Sequence, residues 1–403
     1  MLLLALLGTS VAMAQTHTWT NAAPSGHQFI WGGQQQRDNN WTPIGTPNGV
    51  GHTAIFANTG LINGNTVTLG SNITVGTLQI QNTNGITFTI APNTFNFTFQ
   101  AVSSGSGTSN LTLTSANTSN PIISVPITLA ANNNMGVSNA GSGTLTLGGS
   151  ITTVGQTITF SNSGSGGTIV SGAITGTGNL TKSGSGTLTL SGNNTYTGTT
   201  TIQAGQVTLS GTHTGTGQIN IAGGTLLLGA ADRIGNSTPI QLSGGTLNTG
   251  GNSDVVGSLT LSANSTIDMG SGSSILTFAG ASYTGGTLTV SNWSGSMSGG
   301  GTDRIIFTNS SGLSQAFLSN IYWANQNITG AKLIGSEIVP IPEPAAYFGA
   351  ALLLGAVLVH SIRRRTTPPP HGAGGAAMCS SSSLTQAPAA RSKNQRGELE
   401  PSS

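Results

Sequence analysis

The pentapeptide Gly-Thr-Leu-Thr-Leu occurs at residues 143–147 and again at 186–190. Close variants follow: GTLLL at 224–228, GTLNT at 245–249 and GTLTV at 286–290. The start-to-start steps are 43, 38, 21 and 41 residues, near one or two times a unit of about 20. Within each copy apolar and polar residues alternate with period two, the signature of a half-buried strand. Strands of about five residues are separated by Gly, Ser, Asn and Thr, which supply the left-handed positions and side-chain-to-backbone bonds of tight turns. Helical periodicity is missing from Gln15 to Pro340.

Short strands at such a period cannot each bury a face alone; stacked as rungs they share one core. The expectation is therefore an all-β chain, a right-handed parallel β-helix (solenoid) over residues 61–300. Leu145, Leu147, Leu188, Leu190, Ile202, Val207, Leu209, Ile219, Ile221, Leu226 and Leu228 point inward in this reading. Each contributes about 1.5–3 kcal/mol if fully buried, against about 1–2 kcal/mol of backbone entropy per ordered residue, so stability accumulates over many rungs. Outward Thr and Asn suit the flat faces, as Thr pairs and Asn ladders. An uninterrupted disordered Gly/Ser/Thr chain is the competing reading, and the regular aliphatic alternation argues against it.

Composition narrows the chemistry. Between Gln15 and Ile341 the bases are Arg37, Lys182, Arg233, Arg304 and Lys332; the acids are Asp38, Asp232, Asp254, Asp268, Asp303 and Glu337. That segment is almost neutral, and between Asp38 and Asp232 its sole charged side chain is Lys182. No basic stripe with interleaved aromatics is present, so nucleic-acid binding is not expected. The histidines His17, His27, His52 and His213 lack metal-ligand or triad spacing, and no catalytic residue, metal or cofactor is expected. Asp232-Arg233 and Asp303-Arg304 read as solvated turn pairs. An alternative, a polysaccharide-degrading enzyme, requires a groove assembled from Lys182, Asp232, Arg233, Asp254 and Asp268.

Residues 15–60 carry Trp19, Trp31 and Trp41, followed by PNGVGHTAIF from Pro47. An open rung exposes unpaired backbone and needs a cover, so this aromatic-rich stretch reads as an N-terminal cap. Trp31 and Trp41 alternatively form a sugar-stacking platform for extracellular polysaccharide. Residues 301–338, richer in charge and aromatics, read as the closing segment.

Both ends of the chain read as addresses. Residues 1–14 combine an apolar stretch with Ala12-Met13-Ala14 before Gln15, the small-x-small form of a signal-peptidase site. Pro342-Glu343-Pro344 holds an extended, accessible peptide. It precedes an apolar run, and residues 345–362 as a helix are roughly 27 Å long, close to a bilayer core. Arg363, Arg364 and Arg365 then place residues 366–403, a Pro/Ser/Ala/Gly-rich tail that reads as disordered, on the cytoplasmic side. The lone cysteine, Cys379, lies in that tail, so the exported part folds without disulfides.

Residues 339–365, VPIPEP leading into the apolar run and RRR closing it, resemble the PEP-CTERM sorting signal of exported bacterial proteins. The resemblance implies recognition and cleavage by an exosortase, transient anchoring through 345–362, and a cell-surface or extracellular destination. This chain departs from that pattern in continuing for a further tail after Arg365. Residues 174–211, ITGTGNLTKSGSGTLTLSGNNTYTGTTTIQAGQVTLSG, resemble the autotransporter-associated β-strand repeat, also called the passenger-associated transport repeat. The matching residues run from Gly176 through Thr200, then Ala204-Gly205 and Leu209, with Lys182 and Tyr196 on family positions. That resemblance implies a parallel β-helix in an exported surface protein. Together these readings predict an exported, non-enzymatic matrix or surface rod.

Overall fold

The computed structural model describes residues 15–19, 29–31, 41–42, 48, 50–57, 65–69, 71–81, 88–91, 95–100 and 107–342. These build an all-β parallel solenoid with three faces. The first face is a sheet of thirteen strands and the second a sheet of fourteen. Two five-stranded sheets form the third face, one early and one late in the chain.

Alternation decides which side chains enter the core. Strands such as Thr187–Leu190, Gln206–Leu209 and Thr225–Leu228 place every second residue inside. All eleven inward residues expected from the sequence are buried. On the second face Ile123, Leu147, Val170, Leu190, Leu209 and Leu228 stack in strict register. On the first face the inward column runs Leu111, Val137, Phe160, Lys182, Ile202 and Ile221. Lys182 is the sole charged member of an otherwise apolar file.

The unit of about 20 residues is one full turn, and the turn length drifts. Leu180 pairs with Thr200, Thr200 with Ile219, Ile219 with Ile240 and Ile240 with Leu259, which gives 20, 19, 21 and 19 residues per turn. Earlier turns take 26, 23 and 22 residues, as Leu111, Val137, Phe160 and Lys182 pair in sequence. The shortening falls on the third face. Its early sheet ends at Ile174–Gly176. Single parallel bridges, Asn194 to His213 and His213 to Ile234, then replace strands until Asp254–Val256 restores a ladder.

Asparagines fix the corners. Asn139 and Asn162 are adjacent in register and fully buried. The Asn139 amide donates to the carbonyls of Gly143 and Gly167, and that of Asn162 to Thr187. Exposed asparagines reach to the next rung: Asn120, Asn179 and Asn264 accept the backbone N–H of Thr144, Thr199 and Thr287 at 2.7–2.9 Å. The expected asparagine ladders thus include buried positions, because a corner leaves backbone groups that no strand can satisfy.

The parallel ladder reaches back to Thr16–Trp19, which pairs with Thr53–Phe56 and is flanked on its other edge by antiparallel Trp41–Thr42. At the far end Arg304–Phe307 still pairs in parallel with Ile275–Phe278. Beyond it the chain reverses. Ile328–Thr329 closes the second face and Glu337–Pro340 the third, both antiparallel. Against the expectation of no helix, Gln315–Ser319 forms a short one, capped by the Ser314 hydroxyl accepting from Phe317 N–H at 3.1 Å. Its Phe317 is buried against Tyr283 of the last first-face strand.

Candidate functional site

The five residues of the enzymatic alternative do not share a face. Lys182 is wholly buried; its ammonium donates to the carbonyls of Ser183, Gly184 and Ala204 at 2.7–3.3 Å. Burial lowers its pKa to about 8. All three ammonium protons are matched to backbone acceptors, so the side chain works as a corner brace inside the turn. Asp268 belongs to the second face and accepts from Asn248, Asn292 and the backbone of Gly270. Asp254 lies on the third face, 1 % exposed, and accepts from the backbone N–H groups of Arg233 and Ile234. Burial raises its pKa to about 6, with nearby Asp232 adding to the shift.

Asp232 is exposed with φ of 54°, and Arg233 folds back onto the carbonyls of Ala231 and Ser210, as a solvated turn should. Asp303-Arg304 departs from that reading. Asp303 is buried and accepts from Ser274 N–H, Ser294 N–H and the Ser294 hydroxyl. Arg304 meets buried Glu337 at 2.9 Å, and Glu337 also accepts from Gly300 N–H. The reason is topological: a closing turn has no next rung to receive its backbone N–H groups, so carboxylates receive them.

Sequence spacing gave no sign of a polar file within the third face. Asn194, His213 and Asp254 follow one another up this face, all at most 1 % exposed. The Asn194 carbonyl oxygen accepts from Ile174 N–H, replacing a strand hydrogen bond. His213 stacks on Tyr196 with ring centroids 4.8 Å apart, and both its ring nitrogens are buried without a hydrogen-bond partner. Burial lowers its pKa to about 4. Tyr196, raised to about 12 by burial, shares a 2.6 Å hydrogen bond with Thr200. Scattered histidines at no motif spacing could not have signalled this stack.

The remaining sequence candidates fall as follows. Trp31 ends Phe29–Trp31 on the second face, paired with Leu69, whereas Trp41 pairs with Trp19 on the first. Their backbones therefore sit on different sheets. Gln15 is exposed, its carbonyl accepting from Thr53 N–H. Pro342 is the last described residue; Glu343, Pro344, Arg363, Arg364, Arg365, Ala12 and Ala14 lie outside the described residues, as does the apolar segment 345–362. Among the described residues no helix is long and apolar enough to cross a membrane, and no group of three His, Cys, Asp or Glu could hold a metal. A cavity of about 260 Å³ between Ser258, Ser282, Asn309 and Ser311 has no titratable group in its lining.

What the buried polar residues do share is a segment. Residues 180–209 match the Passenger-associated-transport-repeat family. None of the curated proteins and none of the solved structures matches the chain. The match spans Lys182, Tyr196 and Gly205, and the geometry gives each a structural task. Gly205 has φ of 66°, and a Cβ there would stand 2.4 Å from the Gly186 carbonyl and 2.8 Å from the Lys182 ammonium. Only glycine lets this corner close over the lysine. The repeat and the solenoid fit an exported, passenger-like β-helical protein.

Proposed function

We propose that this chain is a non-enzymatic surface or matrix rod, exported and then processed by an exosortase at Pro342-Glu343-Pro344. One observation carries the reading: the sole charged side chain between Asp38 and Asp232 is spent inside the solenoid as a brace. From residue 107 to residue 231 the surface therefore has no carboxylate, ammonium or guanidinium with which to do general acid-base work. The repeat match at 180–209 supports export, and the order of Pro-Glu-Pro, apolar run and arginines supports sorting at the membrane. Signal peptidase at Ala14-Gln15 and exosortase are the partners in this scheme. The membrane is met through 345–362 before cleavage, with the tail cytoplasmic, and the solenoid is delivered outside.

Cell fractionation with mass spectrometry of the mature C-terminus tests the proposal. The expected result is a surface or medium fraction whose chain ends near Pro342. Recovery of Arg363 and the tail on the mature protein, in a host that encodes an exosortase, would overturn the sorting step.

A further inference from the structure

We propose that the third face of the solenoid is an ice-binding surface. Its early sheet presents one threonine at the centre of every strand: Thr74, Thr98, Thr128, Thr152 and Thr175 are successive register partners. The file continues past the end of the sheet. Thr195 N–H bonds to Ile174 and Thr214 N–H to Asn194, which sets Thr175, Thr195 and Thr214 one above another. Two residues further along each rung stand Thr177, Thr197 and Thr216, all exposed. The result is a two-column array of hydroxyl and methyl groups on three consecutive turns, extended as a single column for four turns more.

Neighbouring rungs lie about 4.7–4.9 Å apart, and residues two apart on a strand about 6.6 Å. Both distances are close to oxygen repeats on the prism face of hexagonal ice. β-Branching restricts χ1 of threonine, so the array is ordered before water meets it and costs little entropy to use. The other faces break the pattern: Gln206, Leu227 and Asn248 interrupt the second, and Asn220 and Gln241 the first.

Charge and ring chemistry select this occupant. No charged side chain occurs on these turns to draw an ionic polymer. No aromatic ring is offered to stack on a sugar, because Tyr196, between Thr195 and Thr197, points inward and is 1 % exposed. A rigid, neutral, periodic array is complementary to a rigid, neutral, periodic lattice of water.

The test compares the full chain with two double variants in ice-affinity partitioning and ice-recrystallisation assays. Thr195→Tyr with Thr214→Tyr places bulk on the third face; Thr225→Tyr with Thr246→Tyr does so on the second. The native chain is expected to partition into ice and halt grain growth. The third-face variant loses both effects, and the second-face variant retains them. Circular dichroism melts check folding; if the third-face tyrosines prevent it, Thr195→Ser with Thr214→Ser removes only two methyls and is expected to weaken both effects. Exclusion of the native chain from ice, or equal loss from both faces, overturns the proposal. So does binding to insoluble glucan, or self-association, that the third-face variant abolishes while ice is ignored.

Discussion

His213 and Asp254 share one environment and respond to it in opposite directions. Burial holds the histidine near 4, below its ordinary 6.5, so between those values the unfolded chain binds more protons than the folded one. Its contribution to stability is present above about 6.5 and is lost as pH falls toward 4. Burial lifts Asp254 to about 6 from 3.8, so there the folded chain binds more protons, and stability is lost as pH rises through that window. Each effect is worth up to about 3 kcal/mol, at about 1.4 kcal/mol per pKa unit, and in the native chain they largely offset. His213→Phe preserves the stack on Tyr196 and removes two unpartnered nitrogens. It is expected to raise stability by about 1–2 kcal/mol near pH 5 and to expose a decline from pH 4 to 6. Asp254→Asn should expose the opposite slope. Urea midpoints measured across pH 4–7 decide both. Lys182→Met is expected to cost several kcal/mol, since three buried carbonyls lose their donor at about 1–3 kcal/mol each. Period-two alternation could place residue 182 on the inward side, but only the corner geometry explains why a charge belongs there.

At the scale of one rung, the alternation of GTLTL and its variants was enough to assign strands and to choose their inward residues. What it could not convey is how the corners hold. Asn162 sits in a stretch that reads as a polar turn, yet it is fully buried and holds two rungs together. Hydrogen bonds to a residue a full turn away leave no local sequence signal, because the partner is set by register. Nor did the pattern reveal that the third face shrinks to single bridges, since Asn194 substitutes a side-chain oxygen for a strand carbonyl. Asn162→Ala should therefore cost about 2–3 kcal/mol, by loss of two bonds in a buried corner. Asn179→Ala, which loses one exposed bond to Thr199 N–H, should cost about 1 kcal/mol or less. Chemical denaturation of the two variants orders them. Equal costs would mean that exposed clamps and buried corners hold the rungs alike.

Over the whole molecule, a parallel stack has two ends at which its hydrogen-bonding pattern would accept another rung, including a rung from another chain. The last turns meet this by reversal: the antiparallel strands Ile328–Thr329 and Glu337–Pro340 cover the second and third faces, and Phe317 packs beside the last strand of the first. Composition marked residues 301–338 as a closing segment through its charges and aromatics. The pairing of Arg304 with Glu337, 33 residues apart, was beyond reach without the fold. The segment also supplies Trp323, fully buried and 4.8 Å in centroid distance from Trp293. Deleting residues 321–340 thus removes an aromatic contact and uncovers Leu288–Ser291 and Arg304–Phe307 as free parallel edges. A stack of rungs is stabilised by nearest neighbours, so the turns before residue 290 should stay folded after the deletion. The expected outcome is a protein that keeps its β circular dichroism and self-associates end to end with rising concentration, as followed by light scattering. Glu337→Gln leaves the strands in place and alters only the ion pair and the Gly300 bond. It should lower stability with no comparable association. Association of that variant to the same extent as the deletion would assign the closure to the ion pair and not to the reversed strands.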